Sequence, residues 1–230
     1  MMVNLENLEK ESANFKNRSP TKWAYVKEFL NRDFYEELYK TFPKFDETWS
    51  SEETYDKLSY RKIWKVDQEK NIVTEYDERY NESWNKLMSY FWSEEFIKKL
   101  VEFSGVPVAG LRHFCYMYQG KNGFQSPHIH NVSDKTLILF VYFSKNWKKG
   151  DPGGTYLSDG RDESKILFEV DDLDNSALIV LDGSEAAHGV RKITKDVEKR
   201  AIQFTYEPFS STDGWYGKQG RKEIPELLDL

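Results

Sequence analysis

A single cysteine, Cys115, leaves this 230-residue chain without an internal disulfide. Such a chain is expected in a reducing compartment, here the cytoplasm. Long apolar runs are missing as well. The most apolar stretch, Leu137–Phe143, falls far short of the roughly 20 residues that a membrane-spanning helix needs. Residues 1–16 are polar and acidic, without the basic-then-apolar profile of a secretory leader. An excess of positive charge is also lacking: the net charge is -6, and the lysines and arginines are scattered among acids. Nucleic acid is therefore not expected as a partner, because neutralising phosphates takes clustered cations. Histidine is scarce, with only four in the chain, and three of those fit one arrangement.

Aromatic residues are abundant at 16%, against a modest apolar content of 39%. The length suits one domain with a substantial core. Residues 1–20 read as a polar lead-in and 21–107 as a helical part packed on the core. Within the latter, 23–30 has the look of a short strand. Asp33 and Glu36 form a capping box ahead of Phe34, Leu38 and Phe42, and Pro43 stops that helix. The region from Phe45 to Ile72 has poor periodicity but carries Phe45, Trp49, Tyr55, Tyr60 and Trp64. It reads as a loop packed by its rings, or as a cover over a substrate pocket. A helical pattern returns over 77–91 through Tyr80, Trp84, Leu87, Met88 and Phe91. Ser93 caps a further helix that Gly105 and Pro107 end.

From residue 108 to 208 the style changes to short apolar or alternating runs at 114–118, 137–143, 155–157, 165–170, 177–181 and 201–206, separated by turn residues. This pattern predicts a sandwich or barrel of β-strands. The expected fold is thus mainly β with N-terminal helices, followed by a loop-rich tail over 209–230, all in one structural domain.

His128-Ile129-His130 puts two imidazoles on the same side of an extended strand, since side-chain direction there repeats every two residues. Together they suit adjacent positions on one metal ion, and His188 is the candidate for a third ligand. Around them stand Tyr118, Gly120 and Gly123 upstream, the stretch Tyr142-Phe143-Ser144-Lys145-Asn146-Trp147, the segment Gly153-Gly154-Thr155-Tyr156-Leu157, then His188-Gly189-Val190 and Arg200. In that order and spacing the segment 116–207 resembles the double-stranded β-helix (a jelly-roll, cupin-like core) of iron(II)- and 2-oxoglutarate-dependent oxygenases, in particular the prolyl-4-hydroxylase-like branch.

The resemblance implies Fe(II) as cofactor, 2-oxoglutarate as co-substrate and molecular oxygen as partner. It implies hydroxylation of a C–H bond in a protein side chain or small molecule, with release of succinate and carbon dioxide. Three protein ligands on one face of iron(II) leave room for a bidentate co-substrate and oxygen. The distal carboxylate of 2-oxoglutarate then needs a buried cation. Arg200 is the expected partner, on an alternating strand whose Arg200, Ile202 and Phe204 share one face taken as the inside, with Tyr118 and Tyr142 adding hydrogen bonds. Lys199 and Arg191 are its rivals. The chain departs from the family's His-x-Asp…His pattern, because His130 stands in the carboxylate's place. Asp134 is the alternative third ligand, with His130 then beside it; the remaining reading is a site with only two ligands, or a degenerate one.

The remaining candidates read as structural. His113 precedes a strand, Cys115 reads as a small core hydrophobe, Gly153-Gly154 reads as a turn, and Trp147 is expected beneath that turn. Two other functions fit the same residues. One is a cupin-like metalloprotein that ignores 2-oxoglutarate, using His128, His130, Asp134 and His188. The other is a non-catalytic binding module on the same fold.

Overall fold

The computed structural model describes residues 2–64, 76–129, 136–160, 162–182 and 187–208. Residues 2–20 are more than a polar lead-in. They carry two short helices, α1 (Leu5–Lys10) and α2 (Ser12–Asn17), and bury Val3, Leu8 and Phe15. Three apolar anchors spread over thirteen positions are too sparse to show as a helical period. Strand β1 (Trp23–Val26) leads to α3 (Arg32–Lys40). Its cap is Asn31 rather than the expected Asp33–Glu36 box: Asn31 Oδ1 accepts from the amides of Asp33 at 3.2 Å and Phe34 at 3.5 Å. Glu36 is drawn instead to Arg32, at 2.8 Å, and to Lys145.

The region expected to be irregular contains a hairpin, β2 (Ser50–Thr54) and β3 (Lys57–Ile63). Neither an Asn-Gly nor an Asp-Gly turn announces it, and charged residues sit on both of its faces, which conceals the period of two. Helices α4 (Glu82–Trp92) and α5 (Glu94–Ser104) follow. Asn81 delays the start of α4 by accepting from the Trp84 amide at 3.1 Å. Ser93 caps α5 through the Phe96 amide at 3.2 Å. Gly105, at φ 73°, closes it in the left-handed conformation that glycine adopts without strain.

Eight strands complete the described chain: β4 (Gly110–Gln119), β5 (Phe124–His128), β6 (Leu137–Phe143), β7 (Thr155–Ser158), β8 (Ile166–Glu169), β9 (Asp174–Leu181), β10 (Ala187–Val190) and β11 (Lys199–Glu207). Together with β1 and β3 they pair antiparallel in the order β1-β9-β6-β11-β4-β3-β5-β10-β7-β8. Curled, this is a jelly roll of two sheets, β1-β9-β6-β11-β4-β3 and β5-β10-β7-β8. Strand β3 joins them, pairing with β4 through residues 60–63 and with β5 through residues 57–58. The mainly β architecture with N-terminal helices holds.

Each face of the larger sheet buries a different layer. On one face Ile202, Phe204 and Tyr206 meet the helices. Phe204 stacks on Phe91 at 4.5 Å, and the Tyr206 hydroxyl donates to the Phe91 carbonyl at 2.9 Å. On the other face Cys115, Met117, Phe140, Tyr142, Leu178 and Ala201 pack towards the smaller sheet. Alternation along β11 therefore sends its odd-numbered residues into the barrel and its even-numbered ones to the helices.

Candidate metal and dicarboxylate site

Strands β5 and β10 lie antiparallel with His128 directly opposite His188. The two imidazole centroids are 4.3 Å apart. His128 Nδ1 is 3.2 Å from the Ser126 carbonyl oxygen. A carbonyl can only accept, so Nδ1 carries the proton, and in the neutral ring Nε2 then has the lone pair with which an imidazole ligates a metal. The Gln125 amide nitrogen is 3.3 Å from that Nε2. His188 is buried, with Phe140 at 6.1 Å. Gly189 lets β10 lie this close to its neighbours: a Cβ there would stand 2.5 Å from Tyr156 Oη and 2.7 Å from the Gln125 carbonyl oxygen. His130 and Asp134 lie outside the described residues. Among the described residues no group of three His, Cys, Asp or Glu side chains comes together.

The structure reverses the expected face of the dicarboxylate residues. Arg200 is turned to the helical side, where it pairs with Glu198, its Nε 2.9 Å from Oε2, and lies 5.9 Å from the Phe42 ring centroid. It lines a surface groove of about 330 Å³ with Tyr39, Lys145 and Glu198. Tyr118, opposite Arg200 in register, follows it outward, stacking on Phe45 at 4.4 Å with its hydroxyl 3.3 Å from Glu198. The inward cation is the neighbouring residue, Lys199. Its side chain is 4% exposed, and its Nζ donates to Thr155 Oγ1 at 2.6 Å and lies 5.8 Å from the Tyr142 ring. Thr155 sits opposite Val190, two residues along from His188 on the same face. Lys199 thus reaches across the barrel towards the strand that bears the histidine. Tyr142 is inside as expected, its hydroxyl buried near Thr155 without a hydrogen bond of good geometry.

No carboxylate pairs with Lys199 among the described residues, and burial pushes its amine down to about 7. In the unfolded chain a lysine titrates near 10.4. Between those two values the unfolded state binds more protons, so the contribution of this lysine makes stability rise with pH across the window. Urea denaturation should show the wild type gaining stability over Lys199→Met on going from pH 7 to pH 9; a constant difference would contradict the burial of an unpaired amine.

The other expectations resolve simply. Arg191 is turned to Glu169, its Nε 3.0 Å from both carboxylate oxygens. His113 is half-buried as a residue with its ring enclosed, and its imidazole is pushed down to about 3, chiefly by desolvation and further by the charge of Arg61. Burial likewise pushes the Cys115 thiol up to about 11, far from nucleophilic. Trp147 lies under the glycine turn and donates from Nε1 to the Pro152 carbonyl at 3.1 Å. Gly153, at φ 104°, packs against Ile193, where a Cβ would come within 2.7 Å.

Two imidazoles face each other on paired strands, and a buried cation lies across the same barrel. The fold that carries them recurs in solved structures. A Pseudomonas putida prolyl-4-hydroxylase superposes on 89% of this chain and 98% of its own, at 12% identity and a TM-score of 0.59. A prolyl hydroxylase from Trichoplax adhaerens, solved with a hypoxia inducible factor peptide fragment, covers 90% and 93% at 13% identity and a TM-score of 0.60. The fold is that of the prolyl hydroxylases. HygX from Streptomyces hygroscopicus, solved with nickel and 2-oxoglutarate bound, covers 82% and 83% at 10% identity and a TM-score of 0.52. No protein-family model and no curated protein matches the sequence. Among the described residues no helix is long and apolar enough to cross a membrane.

The donor set suits a metal and a dicarboxylate. In its neutral form His128 presents Nε2 beside a second imidazole, and Lys199 is a buried cation whose only close polar partner among the described residues is a neutral hydroxyl. An uncompensated buried ammonium is costly, and an incoming carboxylate would offset that cost.

Proposed function

We propose that the protein is an Fe(II)- and 2-oxoglutarate-dependent dioxygenase that hydroxylates a C–H bond of its substrate. The reading rests on one observation: paired histidines and a buried lysine with no carboxylate partner among the described residues share the interior of a prolyl-hydroxylase fold. His128 and His188 hold the metal, with His130 as the third ligand and Asp134 as its alternative. Lys199 grips the distal carboxylate of 2-oxoglutarate, assisted by the hydroxyls of Thr155 and Tyr142. When bound, the iron and co-substrate supply oxygen activation, one oxygen atom entering succinate as carbon dioxide leaves and the other entering the product hydroxyl.

The protein's own contribution is placement. The Ser126 carbonyl fixes the tautomer of His128, and Phe140 and Leu157 keep the interior beside His188 apolar. Lys199 provides its charge in a medium where a carboxylate–ammonium pair is strong. A cupin-like role without a dicarboxylate leaves Lys199 unexplained. The test is succinate formation on mixing protein, iron(II), 2-oxoglutarate and oxygen. The wild type should produce succinate and His128→Ala should lose at least 99% of it; equal output from both would remove the proposal.

A further inference from the structure

The wall beside the histidines carries more positive charge than its own carboxylate neutralises. Side chains alternate along β3, so Lys57, Ser59 and Arg61 fall on one face. Arg61 lies opposite Met117 and Lys57 opposite Gln125. Met117 belongs to the layer between the two sheets, and the Gln125 amide reaches His128 Nε2. This face therefore looks into the barrel next to the histidine pair. Glu52, opposite Ser59 on β2, holds the cluster together. Its Oε2 is 2.9 Å from Arg61 Nε, 3.3 Å from Lys57 Nζ and 3.1 Å from Ser59 Oγ. The side chains of Arg61 and Lys57 are only 16% and 15% exposed. Among the described residues Glu52 is the one carboxylate paired with either. Two cations and one anion leave a net positive charge largely withdrawn from water, inside a chain whose net charge is -6.

We infer that Lys57 and Arg61 form a substrate-selecting subsite, and that the substrate is a small molecule bearing a carboxylate. Its assignment to the substrate rests on the dioxygenase reading. A second carboxylate brings the cluster to two charges of each sign, and the guanidinium of Arg61 offers a two-point partner for it. The low exposure of both cations favours a small molecule that enters the barrel over the surface of another protein. This subsite is distinct from Lys199. Strand β4 separates β3 from β11, which puts the two cation positions two strand spacings apart, about 10 Å. Co-substrate and substrate carboxylates can be held together. The charge of Arg61 reaches inward, where it acts on His113 and Cys115.

The test uses acetate, the smallest carboxylate, with acetamide as the uncharged control. The full chain carrying Lys199→Met is kept in chelator at constant ionic strength, so that neither Lys199 nor a metal offers acetate another site. Binding is read from the line width of carbon-13-labelled acetate. Acetate should bind and acetamide should not. Adding Arg61→Gln should weaken acetate binding at least tenfold, while Arg61→Lys stays within threefold. Glu52→Gln, which removes the competing internal carboxylate, should strengthen binding several-fold. A cluster that only staples the hairpin predicts the same direction for Glu52→Gln and Arg61→Gln, and that result overturns the inference, as does equal behaviour of acetate and acetamide. The assay involves no turnover. A protein that forms succinate but ignores acetate loses only this subsite, and one that binds acetate without forming succinate keeps the anion site and loses its link to a substrate.

Discussion

Lys199→Met is expected to weaken 2-oxoglutarate binding at least a hundredfold while leaving the protein as stable as the wild type, or more stable, at neutral pH. The two halves of this result have one cause. In the folded chain the amine sits among Tyr142, Thr155 and apolar neighbours with no carboxylate partner among the described residues. Methionine has a similar length and no charge to desolvate, so the fold loses one hydrogen bond to Thr155 and is relieved of a buried ammonium. For the dicarboxylate the loss is a charge-assisted contact in a dry interior, worth about 3 kcal/mol or more, which is a hundredfold in affinity. Binding measured anaerobically in the presence of iron(II), beside a urea titration of the same samples, reads both. Because burial pushes the amine down to about 7, wild-type affinity should also fall as pH rises above neutrality, and the variant should lack that slope. Unchanged 2-oxoglutarate affinity in Lys199→Met would assign the co-substrate to another residue.

Gly189→Ala should cost about 2–3 kcal/mol of stability and weaken metal binding tenfold or more. The added methyl group would meet the Tyr156 hydroxyl and the Gln125 carbonyl oxygen at 2.5 and 2.7 Å. A tyrosine ring can tilt, although this one is buried and tied to Glu163 at 2.6 Å. The carbonyl belongs to the backbone of β5, the strand that carries His128, and has nowhere to move without carrying the strand with it. The two strands must part, and with them the imidazoles now 4.3 Å apart. For a chain of this size the melting temperature should drop by roughly 5–10 °C. Wild-type melting and wild-type iron affinity in this variant would show that the close approach of the strands does not position the histidines.

What the sequence reveals and what it conceals follows from how many faces of an element are covered. Helix α5 is legible because Ser93 and Gly105 mark its ends and only one of its sides is buried. Strand β6 is legible as an apolar run, since every residue from Leu137 to Phe143 is buried. Strand β11 is buried on both faces, helices on one and barrel interior on the other, so alternation gives two sets of residues without saying which set looks inward. The adjacent cations Lys199 and Arg200 are then indistinguishable by pattern, and only the pairing of β11 with β4 and β6 separates them. Tyr118 is misplaced in the sequence reading for the same reason, being locked opposite Arg200. His128 and His188, sixty positions apart in sequence, are brought together by the pairing of β5 with β10; only their shared chemistry, and no local period, links them in the sequence. The hairpin β2–β3 escapes notice because Lys57 and Arg61 point into the protein, against the usual rule that such residues face water, while Glu53 and Lys62 charge the other face.

That hairpin also has a mechanical consequence. Strand β3 is bonded to one sheet through residues 60–63 and to the other through residues 57–58, stitching the barrel's flank shut with main-chain hydrogen bonds. Thermal breathing on that flank requires several bonds to rupture together, so a molecule cannot slip in between the sheets there without breaking them.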